Sequence, residues 1–279
     1  MDLREIIERA YLEDIPSGDI STDPLQLPER QVSSRLIAKQ DLKLSGLTVF
    51  ARCFLMKDPE AKLKWYFEDS DIVLKGQTVG IIQADASKTL AAERVALNFL
   101  GRLSGIATLT YKFVKQTDGT KTKILDTRKT TPLLRELEKQ AVQHGGGQNH
   151  RKNLSHMVML KDNHIDLAGG IQPAVKACRK AQHSFIEVEC KTLEQVEQCI
   201  ELNVSRIMLD NMDNESMSEA LKKIPPTIET EASGNMSLER VREVSDLGVD
   251  FISVGAITHS APIADFSLLT DLGGDKGHA

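Results

Sequence analysis

Phe185-Ile186-Glu187-Val188-Glu189-Cys190 and Arg206-Ile207-Met208-Leu209-Asp210-Asn211 are short apolar runs, each with a carboxylate near its end, and their starts lie 21 residues apart. Four further runs share this texture, at residues 123–127, 156–161, 227–233 and 251–256. In chain order the six starts are separated by 33, 29, 21, 21 and 24 residues. Helical rhythms fill the gaps at 172–182, 193–202, 215–223 and 237–247. Adjacent parallel strands need a crossover of a dozen or more residues, usually a helix, so repeats of this length build a parallel sheet. The pattern predicts an α/β fold with a partial (β/α) barrel of parallel strands; a doubly wound sheet is the alternative.

Upstream the texture differs. Residues 2–13 place Leu3, Ile6, Ile7 and Ala10 in a helical rhythm that Ile15-Pro16-Ser17-Gly18-Asp19 breaks. Residues 31–85 read as strands and turns, with 71–74 and 78–82 forming an expected hairpin around Lys75-Gly76-Gln77. A helix is expected from Thr89 to about Leu103, interrupted at Ser104-Gly105 and resumed from Ile106 to about Val114. A domain boundary therefore falls near 104–120, with residues 1–105 as one domain and 106–264 as the barrel. Between the first two runs, Thr131 caps a helix and Pro132 opens it. Leu133, Leu134, Leu137, Ala141 and Val142 form its apolar face, and Gly145-Gly146-Gly147 ends it. Three consecutive glycines cost more chain entropy than a helix stop requires and point to a close backbone approach.

Composition narrows the function classes. Hydrophobic residues at 41% and charged residues at 27% exclude a disordered or fibrous chain. Aromatics at 4%, with Trp65 the single tryptophan, leave few platforms for stacking nucleic-acid bases. The net charge of −5 offers no general attraction to nucleic acid or to an anionic membrane. No window reaches the ~20 apolar residues that span a bilayer. Residues 1–7, charged from Asp2 onward, lack the apolar core of a secretory leader. Cys53, Cys178, Cys190 and Cys199 are scattered, with no CxxC pair and no His at ligand spacing, so no zinc site of their own is expected. Free thiols fit a reducing compartment, and the cytoplasm is the expected location.

Ligands collect at the carboxyl ends of parallel strands. Those ends read Asp126-Thr127-Arg128-Lys129, Lys161-Asp162-Asn163-His164, Glu187-Val188-Glu189, Asp210-Asn211, Glu231-Ala232-Ser233-Gly234-Asn235 and Ser253-Val254-Gly255-Ala256. Cations come first, carboxylates next, and small residues with accessible amides last. Residues 126–165 hold seven Lys/Arg and four of the seven histidines against four carboxylates, a formal +3 that would draw a small polyanion. Arg forks match carboxylate and phosphate geometry, whereas Lys supplies a point charge. Glu189 and Asp210 would repel that anion unless they met hydroxyl groups or a hard cation, and Mg²⁺ carried by a phosphate-bearing substrate fits. Ser233-Gly234-Asn235 and Val254-Gly255-Ala256 have the form of phosphate cradles. Plainer readings exist: Asp210 as a helix cap, the two glycine segments as turns, Arg128 and Lys129 as solvated charges. Glu189 resists one, since a carboxylate in a run buried on both sides is costly without a task. His144 and His164 read as structural hydrogen-bonders, while His150, abutting Arg151 just after the glycines, goes with the cations.

Asp126-Thr127-Arg128-Lys129-Thr130-Thr131-Pro132, Leu137-Glu138-Lys139, Gly145-Gly146-Gly147-Gln148-Asn149-His150-Arg151 and Leu160-Lys161-Asp162-Asn163-His164 together resemble the quinolinate phosphoribosyltransferase family. Arg102-Leu103-Ser104-Gly105-Ile106-Ala107-Thr108, Glu187-Val188-Glu189, Leu209-Asp210-Asn211, Glu231-Ala232-Ser233-Gly234-Asn235 and Ile252-Ser253-Val254-Gly255-Ala256 match in the same order, as do Glu13-Asp14 and Gly18-Asp19. The resemblance covers nearly the whole chain. Leu133, Gln140 and His156 depart from it, where the family often has Gly, Tyr and Asp.

The resemblance implies an N-terminal open α/β sandwich, completed by residues 265–279, followed by a partial barrel. It implies transfer of a phosphoribosyl group from phosphoribosyl pyrophosphate, with Mg²⁺, to quinolinate, with loss of carbon dioxide. Lys129, Lys161, Glu189 and Asp210 are then the expected catalytic groups. Arg102, Thr127, Arg128, His150 and Arg151 join them in binding substrate, and Ser233, Gly234, Asn235, Val254, Gly255 and Ala256 hold the 5′-phosphate. Glu189 and Asp210 would meet the metal indirectly, through the substrate. A homodimer or a dimer-based hexamer is expected, with Arg102 supplied across the interface. The alternatives are a related transferase acting on another ring, a non-catalytic anion sensor on the same fold, and a Schiff-base lyase using Lys161.

Overall fold

The computed structural model describes residues 2–26 and 28–271. The chain begins with α1 (Leu3–Asp14), β1 (Gln31–Ala38), β2 (Leu42–Lys43), α2 (Leu47–Lys57) and β3 (Lys62–Trp65). It continues with β4 (Ile72–Val73), β5 (Thr78–Asp85) and α3 (Ala86–Gln116). Next come β6 (Lys123–Leu125), α4 (Arg135–His144), β7 (Val158–Leu160), α5 (Asp162–Ala168) and α6 (Ile171–Lys180). Strand and helix then alternate through β8 (Ile186–Cys190), α7 (Leu193–Glu201), β9 (Arg206–Asp210), α8 (Asn214–Lys223), β10 (Glu229–Ser233) and α9 (Leu238–Asp246). The last elements are β11 (Phe251–Ser253), α10 (Ala256–His259) and β12 (Phe266–Asp271).

These elements gather into two compact units. The first takes in the described residues within 1–109, 131–146 and 261–279. Its main sheet is antiparallel, in the order β12-β1-β5-β3. Alternation along β1 buries Val32, Ser34, Leu36 and Ala38 and turns Gln31 and Arg35 outward, as a sheet with one packed face requires. Phe50 and Phe54 of α2 stack at 5.0 Å, and Phe50 meets the edge of Trp65 at 5.8 Å, which builds the aromatic part of this core.

The second unit takes in residues 110–130 and 147–260. Its six strands are parallel, in the order β6-β11-β10-β9-β8-β7. From β7 to β11 each strand lies beside its successor, with no reversal of order. A doubly wound sheet reverses at a switch point, so this is the winding of a barrel, open between the edge strands β6 and β7. Ile207, Met208 and Leu209 are all buried, the continuous apolar run that a sheet covered on both faces demands. Thr192, Asp213 and Ser237 cap α7, α8 and α9 with side-chain oxygens that accept backbone N–H groups.

Three expectations are corrected. α3 is one helix of 31 residues, unbroken at Ser104-Gly105. Gly105 is there because a Cβ would strike the carbonyl of Pro262, and Ala264 N–H donates to Gly101 O at 2.9 Å. Glycine here serves close packing of the returning chain. The hairpin at 71–82 does not form: β4 pairs with β2, while β5 pairs with β1 and β3, although Gln77 N–H still closes a turn onto Leu74 O at 3.1 Å. Thr131 does not cap α4, which starts at Arg135. The four residues before it form a turn with Leu133 at φ 69°, a left-handed conformation that favours glycine. The expected tail at 273–277 lies outside the described residues.

Candidate active site

The carboxyl ends of the parallel strands surround a cavity of about 920 Å³, lined entirely by residues of the second unit. That volume is at the upper end for small-molecule sites and has room for more than one substrate. Beyond β6 it is lined by Thr127, Arg128 and Lys129; ahead of and just beyond β7 by His150, Arg151 and Lys161. Glu189 and Asp210 enter from the ends of β8 and β9. Ser233, Gly234 and Asn235 follow from β10, and Val254, Gly255 and Ala256 from the turn after β11. Arg102 belongs to the first unit, where Nε and Nη2 donate to Oε1 of the buried Glu138 at 3.0 and 2.9 Å. Glu138 also accepts the N–H of Thr131 at 3.1 Å.

Local geometry orients these groups. Lys161 Nζ donates to Glu189 Oε2 at 2.9 Å, so cation and carboxylate neutralise one another at the mouth. Lys129 N–H donates to Thr127 Oγ1 at 3.0 Å, and Thr258 Oγ1 donates to Lys129 O at 2.8 Å, fixing the loop that carries Arg128. Gly234 has φ +103°, and a Cβ there would collide with the Asn211 side chain. A Cβ on Gly255 would come 3.1 Å from Lys129 Cδ and 3.2 Å from the His259 ring. Both glycines keep the backbone bare beside the cavity, which suits an anion held by amides. His164 accepts the Lys161 N–H at Nδ1, 3.0 Å, and His144 Nδ1 lies 2.9 Å from Ser45 Oγ. Both therefore have the structural roles expected of them.

Beneath the mouth lies a charged cluster around His150, in which Glu187, Glu231 and Arg206 had no role in the sequence reading. His150 Nε2 lies 3.2 Å from Glu187 Oε2 and 3.4 Å from Glu231 Oε2, with both glutamates fully enclosed. Arg206 Nη1 reaches Glu231 at 3.0 Å and Glu187 at 3.9 Å, and its guanidinium lies over the Phe251 ring at 4.2 Å. Burial disfavours charge on His150, but the two carboxylates outweigh it and push its pKa up to about 9. The Arg151 N–H donates to His150 Nδ1 at 2.6 Å, which holds Nδ1 as an acceptor and directs the ring's N–H at Nε2 to the two carboxylates. Burial, then the charge of Glu231, raises the pKa of Glu187. Glu231 is lowered in spite of burial, because His150, Ser253 and Arg206 favour its charged form. Arg151 is lowered by burial first and by the neighbouring charge of Arg128 second. A guanidinium stays charged in proteins, so two such groups close together attract an anion with more than one carboxylate.

The cavity also includes Asn211, Met159, Met208, Met236, Ser237 and His259. Nothing in the sequence singled out the three methionines. His259 stands one helical turn beyond Gly255 in α10, and that spacing was the available signal.

The family model described as quinolinate phosphoribosyl transferase, C-terminal domain, matches residues 106–269, and its N-terminal counterpart matches 19–104. A relative from Arabidopsis thaliana, nicotinate-nucleotide pyrophosphorylase [carboxylating], chloroplastic, is 40% identical over 97% of this chain and 83% of its own. A probable nicotinate-nucleotide pyrophosphorylase [carboxylating] from Bacillus subtilis is 37% identical over 96% of this chain and 93% of its own. The crystal structure of NadC from Streptococcus pyogenes is similar with a TM-score of 0.92 and 40% identity, covering 95% of each chain.

Proposed function

This chain belongs to the quinolinate phosphoribosyltransferase family, and from that premise we propose that it transfers the phosphoribosyl group of phosphoribosyl pyrophosphate to quinolinate. Pyrophosphate and carbon dioxide leave, and nicotinate mononucleotide remains. One observation carries the reading. Arg128, Lys129, Arg151 and Lys161 share a single cavity with Glu189, Asp210 and two bare glycine turns, so one bowl offers dicarboxylate, pyrophosphate, ribose and phosphate each a matching partner.

Arg128 and Arg151 hold the ring carboxylates, with His150 beside them in the cavity wall, and Lys161 leans between them and Glu189. Lys129 meets the pyrophosphate. Ser233-Gly234-Asn235 and Val254-Gly255-Ala256 seat the 5′-phosphate. As pyrophosphate departs, positive charge grows at the sugar carbon, and Glu189 and Asp210 stabilise it while they hold the ribose hydroxyls. The ring nitrogen attacks that carbon. The resulting pyridinium charge stabilises the electron pair left on the ring carbon when the adjacent carboxylate departs as carbon dioxide, and a proton from water then takes that position. The protein's contribution is position and field, with no nucleophile of its own.

Glu189 and Asp210, hard oxygen donors at adjacent strand ends, fit a Mg²⁺ brought mainly by the substrate's phosphates. The ion would supply charge for the leaving pyrophosphate. A homodimer or dimer-based hexamer, with Arg102 reaching the partner's cavity, is part of this reading. So is a cytoplasmic setting, which four free cysteines support. No helix among the described residues is long and apolar enough to cross a membrane.

The test incubates purified protein with quinolinate, phosphoribosyl pyrophosphate and Mg²⁺ and measures nicotinate mononucleotide. Product that disappears with a chelator and returns with Mg²⁺ is expected. No product from quinolinate, with turnover of a pyridine monocarboxylate instead, would move the assignment to a related transferase.

A further inference from the structure

We propose that Glu187 and Glu231 are positioning residues for the ring-binding end of the cavity. Together they grip His150 through Nε2, and His150 through Nδ1 fixes the backbone of Arg151. The inference rests on the proposed quinolinate reading for its kinetic consequence, and on geometry alone for the arrangement itself.

Neither glutamate lines the cavity, although Glu189 and Ser233, two residues further along the same strands, both do. Side chains two apart in a strand share a face, so Glu187 and Glu231 point into the same interior from which the site opens. There they meet His150 at 3.2 and 3.4 Å, and Glu231 also bonds Ser253 of β11. Arg206 anchors them from the start of β9, at 3.0 Å from Glu231 and 3.9 Å from Glu187. From β6 and its loop, Asp126 Oδ1 accepts the His150 N–H at 2.8 Å and holds its main chain. The charged groups around the imidazole are thus Glu187, Glu231, Arg206, Asp126, Arg151 and Arg128.

Both ring nitrogens of His150 are engaged inside the protein, Nε2 with the glutamates and Nδ1 with the Arg151 N–H at 2.6 Å. The imidazole therefore acts as a brace. It needs a fixed orientation, because Arg128 stands close enough for its charge to disfavour that of Arg151. Two repelling guanidinium groups spread apart unless their backbones are tied. Arg151 is tied twice, by its N–H to His150 and by Nη1 to Met157 O at 3.3 Å. His150, Glu187 and Glu231 also have the spacing of a metal site, with ligand atoms within 4.8 Å of one another. Arg206 already places a fixed positive charge against that carboxylate pair, which favours the brace over an ion.

Two isosteric variants, Glu231→Gln and Glu187→Gln, test the kinetic arm. Each should raise KM for quinolinate about tenfold while KM for phosphoribosyl pyrophosphate moves less than twofold, because only the ring end loses its alignment. Unchanged KM values, or an equal rise in both, would overturn the proposal. Should either variant fail to fold, the unaltered protein still decides: its ¹⁵N-histidine spectrum should show His150 with a protonated Nε2 and a bare Nδ1, assigned by loss of the resonance in His150→Gln. A protonated Nδ1 overturns the brace, as does one tightly bound metal ion per chain by mass spectrometry. Native protein that makes no nicotinate mononucleotide would refute the functional reading and leave the spectrum to judge the arrangement.

Discussion

β8 and β9 carry charge at two depths, Glu189 and Asp210 at the mouth and Glu187 and Arg206 inside, and the two sets behave differently. At the mouth, Lys161 is 45% exposed and its partner Glu189 10%, so water and incoming ligand can reach both. Inside, Glu187, Glu231 and the His150 ring are 0%, 0% and 4% exposed, and Arg206 11%. An enclosed charge has only protein to stabilise it and must meet its opposite directly. Lys161 at the mouth is partly solvated, so its side of the pair can be exchanged. The inner set is committed to the fold, whereas the outer set is free to exchange Lys161–Glu189 for substrate.

Removing Arg206 should break the inner set hardest. Arg206→Met leaves two enclosed carboxylates without their cation and should lower unfolding free energy by about 3–5 kcal/mol, read by denaturant titration. A loss below about 1 kcal/mol would erase the distinction between the depths. Arg128→Met probes the mouth. Turnover of quinolinate should fall roughly 100- to 1,000-fold, with stability changed by less than about 0.5 kcal/mol; an active variant would contradict the assignment of Arg128.

Acid sharpens the contrast more gently. The folded carboxyl of Glu231 sits below its unfolded value of about 4.3. It therefore contributes stability above that pH, and the contribution is lost as pH falls through the folded value. Glu231→Gln lacks this contribution, so its stability should decline less steeply than the native protein's below about pH 4. Equal slopes in urea titrations across that range would count against the pairing with His150 and Arg206. The smallest effect serves as a control in the first unit. Leu133, 66% exposed at φ 69°, stands in a left-handed turn. Leu133→Gly should stabilise the protein by about 0.5–1 kcal/mol without changing KM.

Much of this was legible in the linear pattern. Apolar runs at regular intervals predicted the parallel strands, and the residues at their ends predicted the mouth, because strand polarity places every carboxyl end on the same side. Depth was not legible. Glu189 and Glu231 share one register, each opposite Met208, yet one faces the cavity and the other is enclosed against Arg206. Separating them takes the neighbouring side chains, which no single strand reveals. Glycine misled for a related reason. At Gly105 its purpose is a partner segment distant in sequence, so a local reading saw only a break. At Thr131-Pro132 the capping signal was sound in type, but the backbone turns once more before Arg135, with Leu133 in a conformation its side chain disfavours.

The antiparallel order β12-β1-β5-β3 has a consequence for biosynthesis. β1 and β5 leave the ribosome early, but the strand that covers the other side of β1, through pairs from Ala38–Phe266 to Ser33–Asp271, is translated after the entire barrel. Until then a nascent chain carries an unsatisfied ladder of amides and carbonyls, the kind of edge that recruits another polypeptide. Ribosomes stalled before residue 266 should hold a chain whose parallel half resists protease while its first sheet is still cut, and release of the full-length chain should close that window.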